Sequence, residues 1–458
     1  MRVLFTVFPS TAHFLPIVPY AWALQSAGHE VCVASAPGVA TGVAVSEFQA
    51  SVTAAGLTAV SCGEPELLSV HDAGYEDYES LLPTMGESDA YAAALGIAGD
   101  ERHFWDVFYH FTLLTIRNYH PPKPRQDVQA VVDFARRWQP DLVLWDPWFP
   151  CGAVAARAAG AAHARVLMAP DYTAWASERF ASRRIEARDG LPANPLAETM
   201  RPLADLYGFE VDDELLLGQW TIDPLPPGMR LPSAATTISS RCVPFNGADV
   251  LPEWLYEKPS RPRLALSLGV STRMFFKGDW GRLAKLLEAV GGLDVDVVAT
   301  LNQNQLLDVA GEVPGNVRTI DYVPLTQLLP TCTALLHHGS PATYAVAVAN
   351  DVPQLVADTD EPTRIVGKAT GDGIEWDLQC QKQLTAGPIS RFVAGRRAGA
   401  RIDHQTQSVA EIRELIHGVL TDQSYRDGAA ALHREWAAAP SPVALVPVLE
   451  RLTAEHRG

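Results

Sequence analysis

Short apolar runs alternate with amphipathic segments along most of the chain. Near the start, a strand-like run over residues 2–7 is followed by a helical pattern over 18–27, which ends at Gly28, and by a second strand over 30–34. A strand, a helix and a parallel strand form a β-α-β unit. The chain therefore begins as half of a Rossmann-like domain.

The same alternation continues further along the chain. It predicts helices over 128–138 and 152–159, and strands over 141–145 and 164–168. Apolar strands that alternate with helices are typical of a parallel sheet. Residues 67–119 are instead polar, aromatic and irregular, so we interpret them as helical excursions and loops over the carboxyl edge of that sheet, where substrate-specific loops often lie.

A proline-rich stretch then interrupts the pattern. Prolines crowd residues 223–232, and because proline cannot continue regular structure, we place an interdomain linker at 233–261. Beyond it the alternation restarts and predicts a second doubly wound domain, with strands or helices at 264–268, 280–289, 296–300, 317–320, 325–329 and 334–337. The predicted division is a first domain at 1–232, a second at 262–436, and a terminal helix at 437–458 that crosses back toward the first.

Charge and length narrow the class of protein. The chain has 458 residues, more than one hydrophobic core usually supports. The formal net charge of −17 disfavours nucleic acid and membrane surfaces as partners, because both attract clustered Lys and Arg. No secretory signal and no apolar stretch of membrane-spanning length is visible, and the six cysteines are far apart, so we expect a cytoplasmic protein with reduced thiols.

The segment around residues 335–344 is the most informative one. An apolar strand runs into His337 and His338, and a tight turn then leads into an Ala/Val-rich helix from Tyr344. Free backbone N–H groups and the positive end of a helix dipole would meet there and could bind a phosphate. The candidate contacts are His338, Gly339, Ser340, Ala342 and Thr343.

Other interpretations of the two histidines stay open at this point. Adjacent side chains on a strand point to opposite faces, and no Cys, Asp or third His clusters nearby, so a metal site is disfavoured against a phosphate contact or a structural strand end. The loop that carries Ser271 and Thr272 also follows a strand, and it is either a second phosphate contact or a plain Ser/Thr turn.

His13 and Asp146 are the candidate catalytic residues. The usual dinucleotide and P-loop signatures are missing, which disfavours dehydrogenases and kinases. His13 follows the first strand and could act as a general base, whereas Asp146 ends the strand at 141–145 on the same sheet edge and could orient it. Spacing alone favours the plainer interpretation, in which His13 is a helix cap or a satisfied loop residue and Asp146 is a turn residue.

Three acidic or basic segments have weaker signals. Asp294 and Asp296 have the spacing of a metal-binding D-x-D, although a charged strand edge is the favoured interpretation. Asp360 and Glu361 could accept hydrogen bonds from sugar hydroxyls or an ammonium group. The run at 390–401 is rich in Arg, Gly and Ala, and we interpret it as a mobile loop.

Several motifs together resemble one family. They are Pro19 to Val31, Pro140 to Pro147, Gly218 to Pro224, Asn316 to Pro324, Leu328 to Cys332 with His337-His338-Gly339, and Pro440 to Pro442. The chain resembles nucleotide-sugar glycosyltransferases of the GT-B fold, specifically actinobacterial antibiotic enzymes that attach TDP-deoxysugars to polyketides, of the macrolide desosaminyl and forosaminyl type.

The resemblance implies an α/β architecture with two Rossmann-like doubly wound domains facing across a cleft. It implies that the first domain holds a hydrophobic polyketide aglycone and the second a TDP-deoxysugar, with inversion and without metal or other cofactor. It assigns His13 as base and Asp146 as its orienting carboxylate. The other implied contacts are Ser271 and Thr272 in a phosphate-side loop, His338 at the diphosphate, Val323 as a backbone contact to the base, and Asp360 at the sugar.

The chain departs from the family pattern at two glycines, which are Ser340 and Ala342 here. We expect their Cβ atoms to narrow the cradle and restrict φ. Residues 386–401 also look like an extra loop. A non-catalytic helper or nucleotide-binding protein with the same fold, and more distantly a sugar-phosphate epimerase, are the alternatives. A homodimer and a cytochrome-like activating helper protein stay open as partners.

Overall fold

The computed structural model describes residues 1–36, 45–60, 62, 85–184, 194–247, 249–269, 282–301, 303–306, 309, 313–361, 365–370, 373–378 and 384–457. Within these ranges the chain forms two parallel sheets, each covered by helices. Among the described helices, none combines the length and apolar character that a membrane crossing requires.

The first sheet contains seven parallel strands in the order β3-β2-β1-β4-β5-β6-β7. The strands are β1 (Arg2–Thr6), β2 (Glu30–Ala34), β3 (Thr58–Val60), β4 (Leu142–Trp145), β5 (Ala162–Val166), β6 (Trp220–Asp223) and β7 (Thr237–Ser239). The helices of this part are α1 (Thr11–Phe14), α2 (Val18–Ser26), α3 (Val45–Ala54), α4 (Met85–Leu95), α5 (Glu101–Val107), α6 (Leu114–Tyr119), α7 (Gln126–Trp138), α8 (Cys151–Ala159), α9 (Tyr172–Arg184), α10 (Pro195–Leu206) and α11 (Asp213–Leu217). A π-helix at Phe108–Leu113 joins α5 to α6.

The second sheet contains six parallel strands, and a separate antiparallel hairpin follows its fifth strand along the chain. The strands are β8 (Arg263–Ser267), β9 (Asp296–Thr300), β10 (Val317–Ile320), β11 (Ala334–His337), β12 (Gln354–Ala357), the hairpin pair β13 (Ile365–Thr370) and β14 (Gly373–Leu378), and β15 (Gly399–Ile402). The helices are α12 (Leu283–Gly291), α13 (Gln303–Leu306), α14 (Leu325–Leu328), α15 (Pro341–Ala349), α16 (Ala386–Gly395), α17 (Val409–Thr421), α18 (Gln423–Ala438) and α19 (Pro442–His456). The strand order is β10-β9-β8-β11-β12-β15.

Both sheets reverse their strand order beside their first strand. In the first sheet the reversal lies between β1 and β4, and in the second it lies between β8 and β11. Ligands of open α/β sheets bind outside the carboxyl ends of the strands at such a switch point. The chain segments that follow these four strands are therefore the place to look for function.

The architecture confirms the expected pair of Rossmann-like domains. Strands at 296–300, 317–320 and 334–337 lie where the sequence pattern predicts them. These strands are easy to predict because a short apolar run between turn residues has few alternative secondary structures. In the described part of residues 67–119, the expected helical excursions are present as α4, α5, the π-helix and α6.

One prediction is wrong. Residues 386–401 are not a loop, because α16 and β15 occupy most of that range. The Gly/Ala/Arg composition obscured an amphipathic helix whose apolar side, including Ile389 and Phe392, is buried.

The segment expected to be the linker also contains regular structure. Strand β7 lies within residues 233–261 and pairs with β6, so that part belongs to the first sheet. The proline-rich residues before it pack on the second domain, where Leu225 and Met229 share a buried cluster with Tyr344 and Phe392. The terminal helix α19 packs against α2 of the first domain.

Candidate active site

The ends of β1 and β4 bring His13 and Asp146 together. The two strands pair in register, with Thr6 beside Trp145, so the residues that follow them emerge at the same level. His13 Nδ1 lies 2.7 Å from Asp146 Oδ2. The Asp146 side chain is 1% exposed and that of His13 is 14% exposed, so the carboxylate is enclosed while the imidazole stays accessible.

Three donors surround the Asp146 carboxylate. Besides His13, the backbone N–H of Phe8 donates to Oδ2 at 3.1 Å and that of Trp148 donates to Oδ1 at 2.9 Å. An ionised carboxylate can only accept, so the His13 nitrogen that faces it must carry the proton. The other nitrogen, Nε2, is then left with its lone pair, as a general base requires.

Two aromatic rings pack against the His13 imidazole. The ring centroid of Trp148 lies 4.5 Å from that of His13, and the centroid of Phe8 lies 4.9 Å away. These contacts restrict the orientation of the imidazole beyond what one hydrogen bond to Asp146 does. Neither residue is predicted from the sequence pattern, although the position of Trp148, two residues after Asp146, was a usable signal.

The expected phosphate cradle in the second domain is the start of helix α15. The helix begins at Pro341, earlier than the predicted Tyr344, because Ser340 caps it: its Oγ accepts the N–H of Thr343 at 3.3 Å. Gly339, just before the cap, has φ of +84°, and a Cβ there would lie 2.6 Å from Ala386 Cα. Only glycine fits this bend without strain.

The expected effect of Ser340 and Ala342 on φ does not apply. Ser340 has φ −81° and ψ 150°, an extended conformation that any residue adopts, and Ala342 lies in the first turn of α15. Since Gly339 alone supplies the positive φ in this turn, the backbone path of the cradle does not need the two missing glycines. Pro341 has no N–H, so the free backbone donors here are fewer than at an ordinary helix start.

His337 and His338, at the end of β11, make contacts in different directions. His337 Nδ1 accepts the N–H of Gly339 at 3.2 Å, and burial lowers its pKa to about 3. His338 Nδ1 lies 3.3 Å from the carbonyl oxygen of Ser267, at the end of the neighbouring strand β8. His337 therefore fits the structural strand end, and the two rings do not converge on one metal.

The pKa of His338 is held well below its ordinary value. Burial is the main cause, and the positive charge of Arg282 adds to it. Because a carbonyl only accepts, the neutral imidazole must carry its proton on Nδ1, which leaves Nε2 unprotonated. Arg282, a buried residue just before α12, is not predicted from the sequence pattern. Its positive charge acts on His338 and favours an anion at the cradle.

The candidate sugar contacts follow strand β12. Asp360 is mostly exposed, and Arg401 Nη2 donates to it at 2.7 Å. Arg401 Nε also donates to the buried Asp358 at 2.9 Å, and the hydroxyl of Ser390 donates to the same oxygen at 2.7 Å. Glu361 is partly exposed beside them. Sequence reasoning missed Asp358, although its position directly after a strand was a signal for it.

The other expected nucleotide contacts have less structural context. Val323 is buried in the segment between β10 and α14. Ser271 and Thr272 lie outside the described residues.

The two aspartates of the D-x-D sequence lie far from the cradle, at the amino end of β9. Arg261 Nη1 lies 3.2 Å from Asp294, and Arg261 Nη2 lies 2.5 Å from Asp296. This confirms the interpretation as a charged strand edge. In the ranges that the structure describes, no group of three His, Cys, Asp or Glu side chains is placed to hold a metal ion.

A cavity of about 120 Å³ lies between the two domains. From the first domain it is lined by Pro16, Met168 and Pro224, and from the second by Pro341 and Ala342. Pro16 follows His13 by three residues, and Pro341 begins the helix of the cradle. The cavity therefore borders both the segment that follows His13 and the first turn of α15.

Comparisons with known proteins extend over the whole chain. The family described as "Erythromycin biosynthesis protein CIII-like, N-terminal domain" matches residues 22–269, and its C-terminal counterpart matches residues 284–452. The aclacinomycin-T 2-deoxy-L-fucose transferase of Streptomyces galilaeus is 39% identical, covering 100% of this chain and 97% of the relative. The 10-deoxymethynolide desosaminyltransferase of Streptomyces venezuelae is 37% identical, covering 100% of this chain and 98% of the relative.

Solved structures agree with this assignment. Spinosyn forosaminyltransferase SpnP superposes with a TM-score of 0.74 at 33% identity, covering 99% of each chain. The glycosyltransferase VinC, in complex with dTDP, superposes with a TM-score of 0.72 at 30% identity, covering 99% of this chain and 100% of that chain. With its two facing Rossmann-like domains, the chain belongs to the erythromycin biosynthesis protein CIII-like family and is a GT-B glycosyltransferase.

Proposed function

We propose that the chain transfers a deoxysugar from a TDP-sugar to a hydroxyl group of a hydrophobic polyketide, with inversion at the anomeric carbon. The observation that carries the proposal is the 2.7 Å contact between His13 and Asp146. The cleft between the domains supports it, because its lining includes Pro16, three residues after His13, and Pro341 at the helix start. One side of this cleft can remove a proton, and the other can receive a leaving phosphate.

In the proposed reaction, His13 Nε2 takes the proton of the acceptor hydroxyl. The acceptor oxygen forms a bond to the anomeric carbon as the bond from that carbon to the β-phosphate oxygen breaks. A single displacement of this kind inverts the anomeric configuration. Asp146 keeps the Nδ1 proton on His13 and stabilises the imidazolium that forms, a role suited to an enclosed carboxylate held by two backbone N–H groups.

The leaving TDP carries the electron pair of the broken bond and therefore gains negative charge. In this proposal the diphosphate lies at Gly339 to Thr343, beside the start of α15 and the charge of Arg282. Donors that are already aimed at developing charge lower the barrier without further reorganisation. The proposed mechanism assigns no step to a metal or another cofactor.

The relatives' names indicate which substrates to try. One relative acts on 10-deoxymethynolide, another on tylactone and a third on aklavinone, and one is a TDP-daunosamine transferase. We expect an acceptor of this polyketide class and place the reaction in the cytoplasm. Asp360 and Glu361, at the end of the β12 strand, are the proposed sugar contacts.

A transfer assay with a panel of TDP-deoxysugars and these three acceptors tests the proposal. We expect mass spectrometry to detect a glycosylated product. NMR coupling constants should show that its anomeric configuration is opposite to that of the TDP-sugar donor. TDP binding by calorimetry without any product, even with a helper present, would favour the non-catalytic alternative. Release of TDP and free sugar without acceptor would favour the epimerase-like alternative.

The same assay addresses the partners. Activity of the chain alone would show that a cytochrome-like helper is dispensable, whereas activity only in the presence of such a protein would show that it is required. Light scattering of the purified chain measures whether it is a homodimer.

A further inference from the structure

The partly exposed aromatic residues near His13 have no role in the proton transfer described above. Phe8 packs on the imidazole and Tyr119 packs on Phe8, and both are buried, whereas Trp148 and Phe111 keep part of their surface exposed. The ring of Trp148 lies 4.5 Å from that of His13, and the ring of Phe111 lies 6.3 Å from that of Trp148 at an interplanar angle of 35°. A molecule whose hydroxyl reaches His13 therefore has these two rings as its neighbours.

The fold holds both residues in defined positions. The backbone N–H of Trp148 is bound to Asp146 Oδ1 at 2.9 Å, so the ring projects from a fixed point of the loop between β4 and α8. Phe111 lies on the π-helix between α5 and α6. Such widened turns are rare in proteins overall, but where they occur they are often at functional sites. Strand β13 of the second domain approaches the same π-helix, so Phe111 belongs to an element at the cleft.

We propose that Trp148 and Phe111 form an acceptor platform that favours a flat, unsaturated ring beside the reacting hydroxyl. This inference rests on the proposed function and adds the acceptor class. Aromatic rings attract other aromatic rings through offset or edge-to-face contacts, in addition to the burial of apolar area. A macrolactone has no aromatic ring to stack on Trp148 and Phe111 and gains only the burial of apolar area, so the platform discriminates between two kinds of polyketide.

The test measures acceptor binding by calorimetry, with aklavinone as the planar aromatic probe and 10-deoxymethynolide as the macrolactone probe. Trp148→Leu and Phe111→Leu keep an apolar side chain but remove the ring. We expect each change to weaken aklavinone binding about three- to tenfold, the size of a good aromatic contact, and to change macrolactone binding less than about twofold.

A matched control is available at the other end of the first sheet. Trp138 stacks on Phe134 with centroids 5.7 Å apart, and its carbonyl accepts a hydrogen bond from Arg2, at the amino end of β1. Trp138→Leu therefore removes a partly exposed indole far from the cleft. It should leave the binding of both probes unchanged, and TDP affinity should be unchanged in all three variants.

Specific outcomes overturn the inference. If Trp148→Leu weakens the binding of both probes equally, the indole only holds His13 in place. Phe111→Leu repeats the test at a second ring, which packs on Trp148. No loss in either variant, or no binding of aklavinone by the unaltered chain, would also overturn it. Selective binding of aklavinone without sugar transfer would instead contradict the proposed function, while still supporting the acceptor platform.

Discussion

The carboxyl edges of the two sheets carry chemically different sites. At the first edge, the chemistry lies in two side chains, His13 and Asp146, whose hydrogen bond leaves one imidazole nitrogen accessible. At the second edge it lies largely in the backbone, because Gly339 and the start of α15 shape the turn and the nearby His338 is buried and neutral.

This difference shows how one fold serves two tasks. Proton transfer needs a titratable group with one free nitrogen, so the first site exposes a side chain. Binding a diphosphate needs several fixed donors and little else, so the second site depends on dihedral angles and on space for the backbone. The first site should therefore respond to changes of functional group, and the second to added Cβ atoms and to protonation.

The largest effect should come from the first edge. His13→Ala should lower kcat by about 10²–10⁴, the usual contribution of general-base catalysis, and leave TDP affinity unchanged. Steady-state kinetics and calorimetry measure the two quantities. His29→Ala is the matched control, since His29 contacts the amino group of Met1 and the carboxylate of Glu450, away from the cleft. The kcat of the His29→Ala variant should equal that of the unaltered chain. An unchanged kcat in His13→Ala would refute the role of base.

The second edge should be sensitive to a single added methyl group. Gly28 and Gly339 have nearly equal φ values of +86° and +84°, but a Cβ at Gly28 meets nothing within 4 Å, whereas one at Gly339 lies 2.6 Å from Ala386 Cα. Gly28→Ala should cost about 1–2 kcal/mol of unfolding free energy through φ alone. Gly339→Ala should cost about 1–3 kcal/mol more through overlap, and should weaken TDP binding.

Urea unfolding and calorimetry with TDP test this pair of variants. Equal stability losses would show that α16 can move away from the turn, and that the site tolerates a Cβ at position 339.

The pH dependence of TDP binding should further distinguish the second site from the first. If His338 Nε2 contacts the diphosphate, it must gain a proton, because Nδ1 already donates to Ser267 and the neutral ring offers only a lone pair. The pKa of His338 is lowered in the free protein and must be higher in the complex, so binding takes up a proton and weakens as pH rises. The slope should approach a tenfold loss of affinity per pH unit.

Calorimetry in buffers of different ionisation enthalpy measures this proton uptake. The TDP phosphate itself titrates near pH 6, so the relevant quantity is the difference in slope between the unaltered chain and His338→Gln, which cannot take up the proton. Identical slopes would exclude His338 Nε2 as a phosphate donor.

The smallest effect concerns the helix cap. Ser340 and Ser441 both precede a proline and accept an N–H three residues later at 3.3 Å. Replacing either by Gly should cost only a few tenths of a kcal/mol of stability. Ser340→Gly frees the N–H of Thr343 and should raise TDP affinity about three- to tenfold, the worth of one hydrogen bond, whereas Ser441→Gly should not. Weaker binding in Ser340→Gly would mean that the hydroxyl itself contacts the diphosphate.

Sequence reasoning was most successful where the signal is local. The strand at 334–337 and the turn after it could be predicted because an apolar run followed by Gly339 has few alternative structures. It failed at α16, since Gly, Ala and Arg suit loops and helices alike, and there the buried contacts of Ile389 and Phe392 decide the structure. Arg401, on the strand after α16, was missed as a partner of Asp358 and Asp360 for the same reason.

By itself, the sequence determined the repeated strand and helix pattern, the two domains and the residues that end the strands, because each depends on neighbours a few positions away. Only the tertiary structure decided that His13 meets Asp146 and packs on Trp148, and that Pro16 and Pro341 line one cavity. His13 and Asp146 are 133 positions apart, and their contact depends on β1 and β4 being neighbours in register. Strand order follows from how the whole chain buries its apolar surface, and no short segment contains that information.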